Sequence, residues 1–269
     1  MPDTTDIARD AMLDLLFRDA RTHNQWTARP VTDETVRRLY NLAKWGPTTA
    51  NSNPGRFVFV RSAAAKERLK PHLSAGNVDK VMQAPCTVIV AGDTRFYEFY
   101  DKLFPSCDMR STFEGKAALI ADTVARSSTL QGAYLIMAAR ALGLDCGPMS
   151  GFDQVGTDAE FFPDGRWKSN FLCNIGYGNP DGLFPRNPRL DFEEGVAIDH
   201  PLEHRVHVVG AAIVAGDHFE DVVEAPACPV RAVPPRCPAV LVGGHVAEVA
   251  PRHLDGCGVV GGHVVGRAR

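Results

Sequence analysis

No two of the seven cysteines stand in a CxxC spacing, and their number is odd, so the chain carries no disulfide framework and reduced thiols are expected. No apolar run approaches the roughly 20 residues that cross a bilayer, so no membrane span is expected. The first residues include Asp3 and Asp6 and lack an apolar core, so no secretory leader is expected and the cytoplasm is the expected location. A basic excess is also missing. The formal net charge is −3, which speaks against nucleic acid as a partner. There is no Walker A loop, no HExxH and no GxSxG elbow.

Two weaker patterns fail on context. Gly256, Gly258 and Gly261 satisfy GxGxxG spacing, but no strand precedes them and no helical pattern follows, as a dinucleotide site requires. Cys228, Cys237 and Cys257, with His245, His253 and His263, lack the short paired spacing of a zinc site, so no metal is expected.

The sharpest absence divides the chain. Residues 199–269 contain no Lys, Ser, Thr, Asn, Gln, Tyr, Trp or Met, but 16 Val, 9 Gly and 7 of the 9 histidines. Few helix formers and one aromatic, Phe219, suit that stretch poorly to a core of its own. Residues 1–198 are therefore read as the working domain and 199–269 as a low-complexity Val/Gly/His/Pro-rich tail, disordered or loosely attached.

Within the first 198 residues, helical patterns alternate with short apolar strands. Residues 6–18 place Ile7, Ala11, Leu15 and Phe17 at near-helical spacing. A second helix follows Thr32, a good N-cap, with Asp33 and Glu34 in its favourable first turn. Its expected buried stripe is Val36, Leu39, Tyr40 and Ala43, and Gly46-Pro47 ends it. Residues 56–60 and 86–91 are rich in β-branched and aromatic side chains and predict strands. Between them 63–73 and 77–83 predict helices, the first ended or bent by Pro71. The longest helix spans about 116–142, apolar around most of its circumference, which predicts burial in a core or a subunit interface. Short strands follow at 145–149 and 171–177. Such mixing without hairpin turns implies an α+β or α/β domain around a central sheet.

Several polar segments could carry chemistry. Arg21, Thr22 and His23 follow the first helix and supply a cation and neutral donors. Pro47 to Pro54 packs Thr48, Thr49, Asn51, Ser52 and Asn53 between two prolines, which suits a ring edge bearing carbonyls and nitrogens. Asn77 and Lys80 sit at the start of a short helix, favourable for an anion. Gly147-Pro148-Met149-Ser150-Gly151 is a constrained turn whose glycines allow close backbone approach. Arg186 and Arg189 offer two more cations to a phosphate. Each segment alone also fits an ordinary polar loop.

In this order, from about residue 13 to 198, these segments resemble the nitroreductase-like flavoprotein family. That family has an Arg-containing phosphate segment, matched by Arg21, Thr22 and His23. A Pro-Ser-Ser-x-Asn-x-Gln-Pro loop against the flavin is matched by Pro47, Thr48, Thr49, Asn51, Asn53 and Pro54. An Asn-x-x-Lys pair is matched by Asn77 and Lys80, and a late basic residue by Arg189. Departures are Thr-Thr for Ser-Ser, Asn53 for Gln and Gly55 for an aromatic. The strings DARTHN, LSAGN, NIGYG and the GPMSGFD turn resemble the branch containing malonic semialdehyde reductase (3-hydroxypropionate dehydrogenase) of pyrimidine utilisation.

The resemblance implies a three-layer α/β/α, α+β fold with a mostly antiparallel central sheet, and a homodimer with the site at its interface. It implies FMN as cofactor and NAD(P)H as hydride donor to a small aldehyde, or else a broad nitro, quinone or enone reductase or a flavin carrier. Arg21, Lys80 and Arg189 would then neutralise the phosphate, Asn51 and Asn53 would meet the ring edge, and the backbone of Pro148, Met149 and Ser150 would lie beside the ring. No residue stands out as proton donor.

Overall fold

The computed structural model describes residues 4–198. The composition boundary at 198/199 and the glycine pattern at 256–261 lie outside the described residues. Helix α1 (Thr4–Leu13) runs on into a π-helical turn, Asp14–Arg18. Helix α2 (Asp33–Ala43) begins where the N-cap was expected, with Thr32 Oγ1 accepting the Thr35 N–H at 3.2 Å. Strand β1 (Gly55–Val60) and α3 (Ala63–Leu69) follow, and Pro71 turns the end of α3 into a 3-10 turn, Lys70–His72. Then come α4 (Ala75–Gln83), β2 (Cys86–Asp93), and two single-turn helices, α5 (Tyr100–Leu103) and α6 (Arg110–Phe113). The long α7 (Ala117–Ala141) leads to β3 (Asp145–Met149), α8 (Gln154–Phe161), β4 (Trp167–Gly176) and the short α9 (Phe192–Gly195).

The strands form one sheet in the order β1-β2-β4-β3, and each neighbouring pair is antiparallel. The alternation of a strand sends neighbouring β2 side chains to opposite faces. Cys86, Val88 and Val90 meet Leu39, Leu135 and Ala139 of α2 and α7, while Ile89 and Ala91 meet Leu69, Val81 and Phe162 on the α3, α4 and α8 side. All eight residues of β2 are buried. This is the expected three-layer α/β/α arrangement. A third cluster, Phe96, Tyr100, Phe113 and Val124, fastens the α5–α6 segment to the first half of α7.

Two expectations are corrected. Strand β4 begins at Trp167, four residues before the predicted start, because a bulge at Val90/Ala91 lets Ser169 and Lys168 go on pairing with β2. Polar side chains there hid the strand from an apolar pattern. Leu39 and Ala43 are buried as expected, but Tyr40 is 52% exposed and lines a cleft of about 740 Å³ beside β1. Helix α7 buries Leu135, Ala138 and Ala139 against the sheet, whereas Leu119, Leu130 and Tyr134 on its outer side are exposed in the single chain.

At the end of β2, the buried Asp93 carboxylate joins three elements. It accepts Arg56 at 2.7 Å and Arg166 at 2.8 and 3.0 Å, and Arg166 reaches on to Glu98 at 3.1 Å. Two half-buried guanidiniums lose their common acceptor if it is removed. Asp93→Ala should lower folding stability by about 2–3 kcal/mol, read from the denaturant midpoint. A midpoint equal to that of the wild type would show the triad to be dispensable.

Candidate functional site

The polar segments singled out in the sequence fall into two groups. The first gathers around the end of β3. Residues 21–23 run beside that strand: Thr22 makes a parallel bridge to Cys146, and the His23 N–H donates to the Cys146 carbonyl at 3.0 Å. Two glycines make this approach possible. A Cβ on Gly147 would stand 2.5 Å from the His23 carbonyl oxygen, and one on Gly178 would overlap the His23 ring. The close backbone approach expected at Gly147 is thus met by the protein's own chain. The His23 side chain is buried, with Nε2 3.3 Å from Asp145, whose other oxygen accepts the Gly178 N–H at 2.9 Å. Its ring is packed against Gly178 and Asp145.

Helix α4 is tied to the same place from both ends of its Asn-x-x-Lys pair. Asn77 Nδ2 donates to the Gly151 carbonyl at 2.9 Å, and the Ser74 N–H reaches the same oxygen at 3.1 Å. The Lys80 carbonyl accepts Asn174 Nδ2 at 3.0 Å, and Asn174 Oδ1 accepts the Thr87 hydroxyl at 2.6 Å. Thr87 and Asn174 are both fully buried, so a polar pair inside the sheet fixes the backbone that carries Lys80. The half-buried Lys80 ammonium has no hydrogen-bond or ion-pair partner among the described residues. Pro148 and Ser150 are exposed at the end of β3, with Met149 between them half-buried.

Of the two late arginines, the structure brings Arg186 rather than Arg189 to this group. Arg186 donates to the carbonyls of Arg18 and Ala20 at 2.6 and 3.0 Å, and the Arg21 guanidinium donates to the Phe184 carbonyl. Arg189 bonds only the nearby carbonyls of Asn187 and Pro188.

The second group is the loop between α2 and β1, on the α7 side of the sheet. Ala50, Asn51 and Asn53 have φ of 45°, 51° and 44°, three left-handed residues without a glycine. Internal bonds hold this shape: Asn53 N–H to Thr48 Oγ1 at 3.1 Å, and Asn53 Nδ2 to the Asn51 carbonyl and side-chain oxygens at 2.8 and 2.7 Å. Asn51 Nδ2 reaches the Leu103 carbonyl at 2.9 Å. From α7, Ser127 Oγ accepts the Thr49 N–H at 3.3 Å, and Gln131 Oε1 accepts the Gly55 N–H at 2.6 Å. No hydrogen bond or ion pair among the described residues joins this loop to Arg21, Asn77 or Lys80.

Sequence reasoning passed over Ser127, Gln131 and Asn174 as elements of the site. Thr123, Ser127 and Gln131 recur every four residues along α7, which places them on one face. A buried polar stripe of that kind needs partners, and that was the available signal.

Comparison with known proteins agrees with this fold. Residues 18–177 match the profile described as the nitroreductase family. A protein of Rhodopseudomonas palustris strain TIE-1, provisionally named an NADH dehydrogenase/NAD(P)H nitroreductase, is 67% identical over 189 residues, covering 70% of this chain and 96% of the relative. Among solved structures, a provisionally named nitroreductase in complex with FMN from Exiguobacterium sibiricum 255-15 superposes with a TM-score of 0.63 at 21% identity, covering 70% of this chain and 97% of that one. An enone reductase of gut-bacterial fatty acid saturation gives 0.61 at 19% identity, covering 70% and 97%.

The contact between Gly147 and His23 is directly testable. Gly147→Ala must push residues 21–23 off β3 and should cost about 1–3 kcal/mol of stability. Chemical denaturation measures it, and an unchanged midpoint would mean that the segment is not held there.

Proposed function

The chain belongs to the nitroreductase family, and from that premise we propose that it is an FMN-dependent NAD(P)H oxidoreductase, working as a homodimer on a small electron acceptor. The observation that carries this reading is a pair of polar half-sites that no hydrogen bond or ion pair among the described residues joins. One chain offers cations and an open turn at the end of β3, and separately a rigid polar loop on α7. Two copies related by a twofold axis would bring the loop of one to the cations of the other. The exposed Leu119, Leu130 and Tyr134 on the outer side of α7 suit burial against a second copy.

The residues present fit FMN. Lys80 is a half-buried cation without a partner among the described residues, Arg21 and Arg186 lie on the adjoining segment, and all three are suited to one phosphate. Arg189, on its own loop, would have to swing inward to join them. Thr48, Thr49, Asn51 and Asn53 would face the ring's polar edge, and the Pro148–Ser150 backbone its centre. FMN, when bound, supplies hydride transfer between NAD(P)H and the acceptor. The chain supplies charge neutralisation, ring orientation and exclusion of water, and the proton for a reduced aldehyde comes from solvent.

For the acceptor we favour a small aldehyde, malonic semialdehyde reduced to 3-hydroxypropionate, on the string resemblance described above. The relatives' nitroreductase name and the enone reductase of the same fold support a second reading, a broad nitro, quinone or enone reductase. We assign the activity to residues 1–198, since the matched relative is covered over 96% of its length by 189 residues of this chain.

The purified protein should be yellow and release FMN, not FAD, on denaturation, and truncation after Ile198 should leave flavin content unchanged. Lys80→Ala should weaken FMN binding about tenfold or more, since a charge-assisted bond contributes about 1.5–3 kcal/mol. Full flavin occupancy in both Lys80→Ala and Arg21→Ala would remove the phosphate assignment. Steady-state kinetics across aldehydes, quinones and nitroaromatics should give malonic semialdehyde the highest kcat/KM. A quinone or nitro acceptor ahead of it by about an order of magnitude would move the assignment to the second reading.

A further inference from the structure

Left-handed backbone at Ala50, Asn51 and Asn53 is unfavourable for side-chain-bearing residues, so the loop keeps its shape only where its surroundings enforce it. Its internal bonds would be lost together if the loop relaxed. Anchors from outside are Asn51 to the Leu103 carbonyl, Thr49 to Ser127, Arg56 to the Asn53 carbonyl at 2.9 Å, the Asp93 N–H to the Pro54 carbonyl at 2.9 Å, and Gln131. Gln131 differs from the others in using both ends of its amide on the loop. Its Oε1 accepts the Gly55 N–H at 2.6 Å, and its Nε2 lies 3.4 Å from Asn53 Oδ1.

That second contact fixes which way round the Asn53 amide stands. With Oδ1 turned to Gln131, Nδ2 points to Asn51 and bonds both its carbonyl and its side-chain oxygen. The orientation of the Asn51 amide follows in turn, its Nδ2 directed to Leu103. Gly55 belongs to the same device, because a Cβ there would stand 2.6 Å from Gln131 Oε1 and displace it. Gln131 itself is 4% exposed, on a helix packed against the sheet, so its position is set by the core.

We infer that Gln131 is a positioning residue for the flavin-facing loop, acting through Asn53 and Gly55 to set the polar edge that the loop presents. This rests on the reading of the site given above. The core holds α7, α7 holds the amide, and the amide holds the loop.

The test is a double-mutant cycle in the full-length protein, read as the Kd for FMN by flavin fluorescence. Gln131→Met keeps length and removes both bonds, and it should weaken FMN about tenfold. Asn53→Ala should weaken it as well. Because both changes break one chain of contacts, Gln131→Met in the Asn53→Ala background should add less than about twofold. Gln131→Glu keeps an acceptor for the Gly55 N–H, but when ionised it cannot donate to Asn53 and puts negative charge behind the loop. Its bound flavin should hold the electron-rich reduced form about tenfold less well, a fall of about 30 mV in midpoint potential. A residue of purely structural importance would move the melting temperature and leave that potential in place. Equal Kd in Gln131→Met, fully additive losses, or an unmoved potential in Gln131→Glu would each overturn the inference while the wild type still binds FMN. A wild-type protein that binds no FMN would overturn the functional reading and this inference with it.

Discussion

Strand β2 has no exposed residue, and the structure is organised around that fact. A strand buried on both faces needs a layer of helices on each, and the alternation of its side chains decides what each layer meets. Val88 and Val90 require α2 and α7, and Ile89 and Ala91 require the α3, α4 and α8 side. Once two layers are in place, the connections that leave the sheet are sorted between them. The α2–β1 loop is held by α7, and α4 is held by the turn after β3. Division of the polar residues into two half-sites is therefore a consequence of covering the sheet, and so is the requirement for a second copy in the proposed reading.

Burial on this scale leaves room for polar groups only where hydrogen bonds meet them, and the few present are placed at joints. Asp93 ties the ends of β1, β2 and β4 through Arg56 and Arg166. The Thr87–Asn174 pair secures the backbone at Lys80 from inside the sheet. Ser127 and Gln131 reach from α7 to the loop. In each case rigidity is carried from the core to a segment that the core does not itself contain. Glycine works as the complement of these joints. Gly147, Gly178 and Gly55 leave out a side chain where another group must stand, respectively the His23 carbonyl, the His23 ring and the Gln131 amide.

The elements were legible wherever their signal is local. Thr32 before two acids marks the start of α2, Pro71 ends α3, and the β-branched run at 86–91 marks β2, because capping, proline geometry and apolar period act over a few residues. The segments carrying the candidate site were legible in the same way, as small polar and basic residues gathered at the ends of elements. Tertiary structure decided the rest. Lys168, Ser169 and Asn170 near the start of β4 are polar, and this stretch becomes strand only because β2, with a bulge, is there to pair with it. His23 has the composition of a ligand, and only the fold turns it inward to Asp145. Arg186 and Arg189 are equivalent in sequence, and only chain path brings the first to Arg18 and Ala20. Gln131 lies 76 residues from Gly55, whose N–H it accepts. The hydrogen bonds that give these residues their roles join positions distant along the chain, and such pairings exist only once the core has set the distances between them.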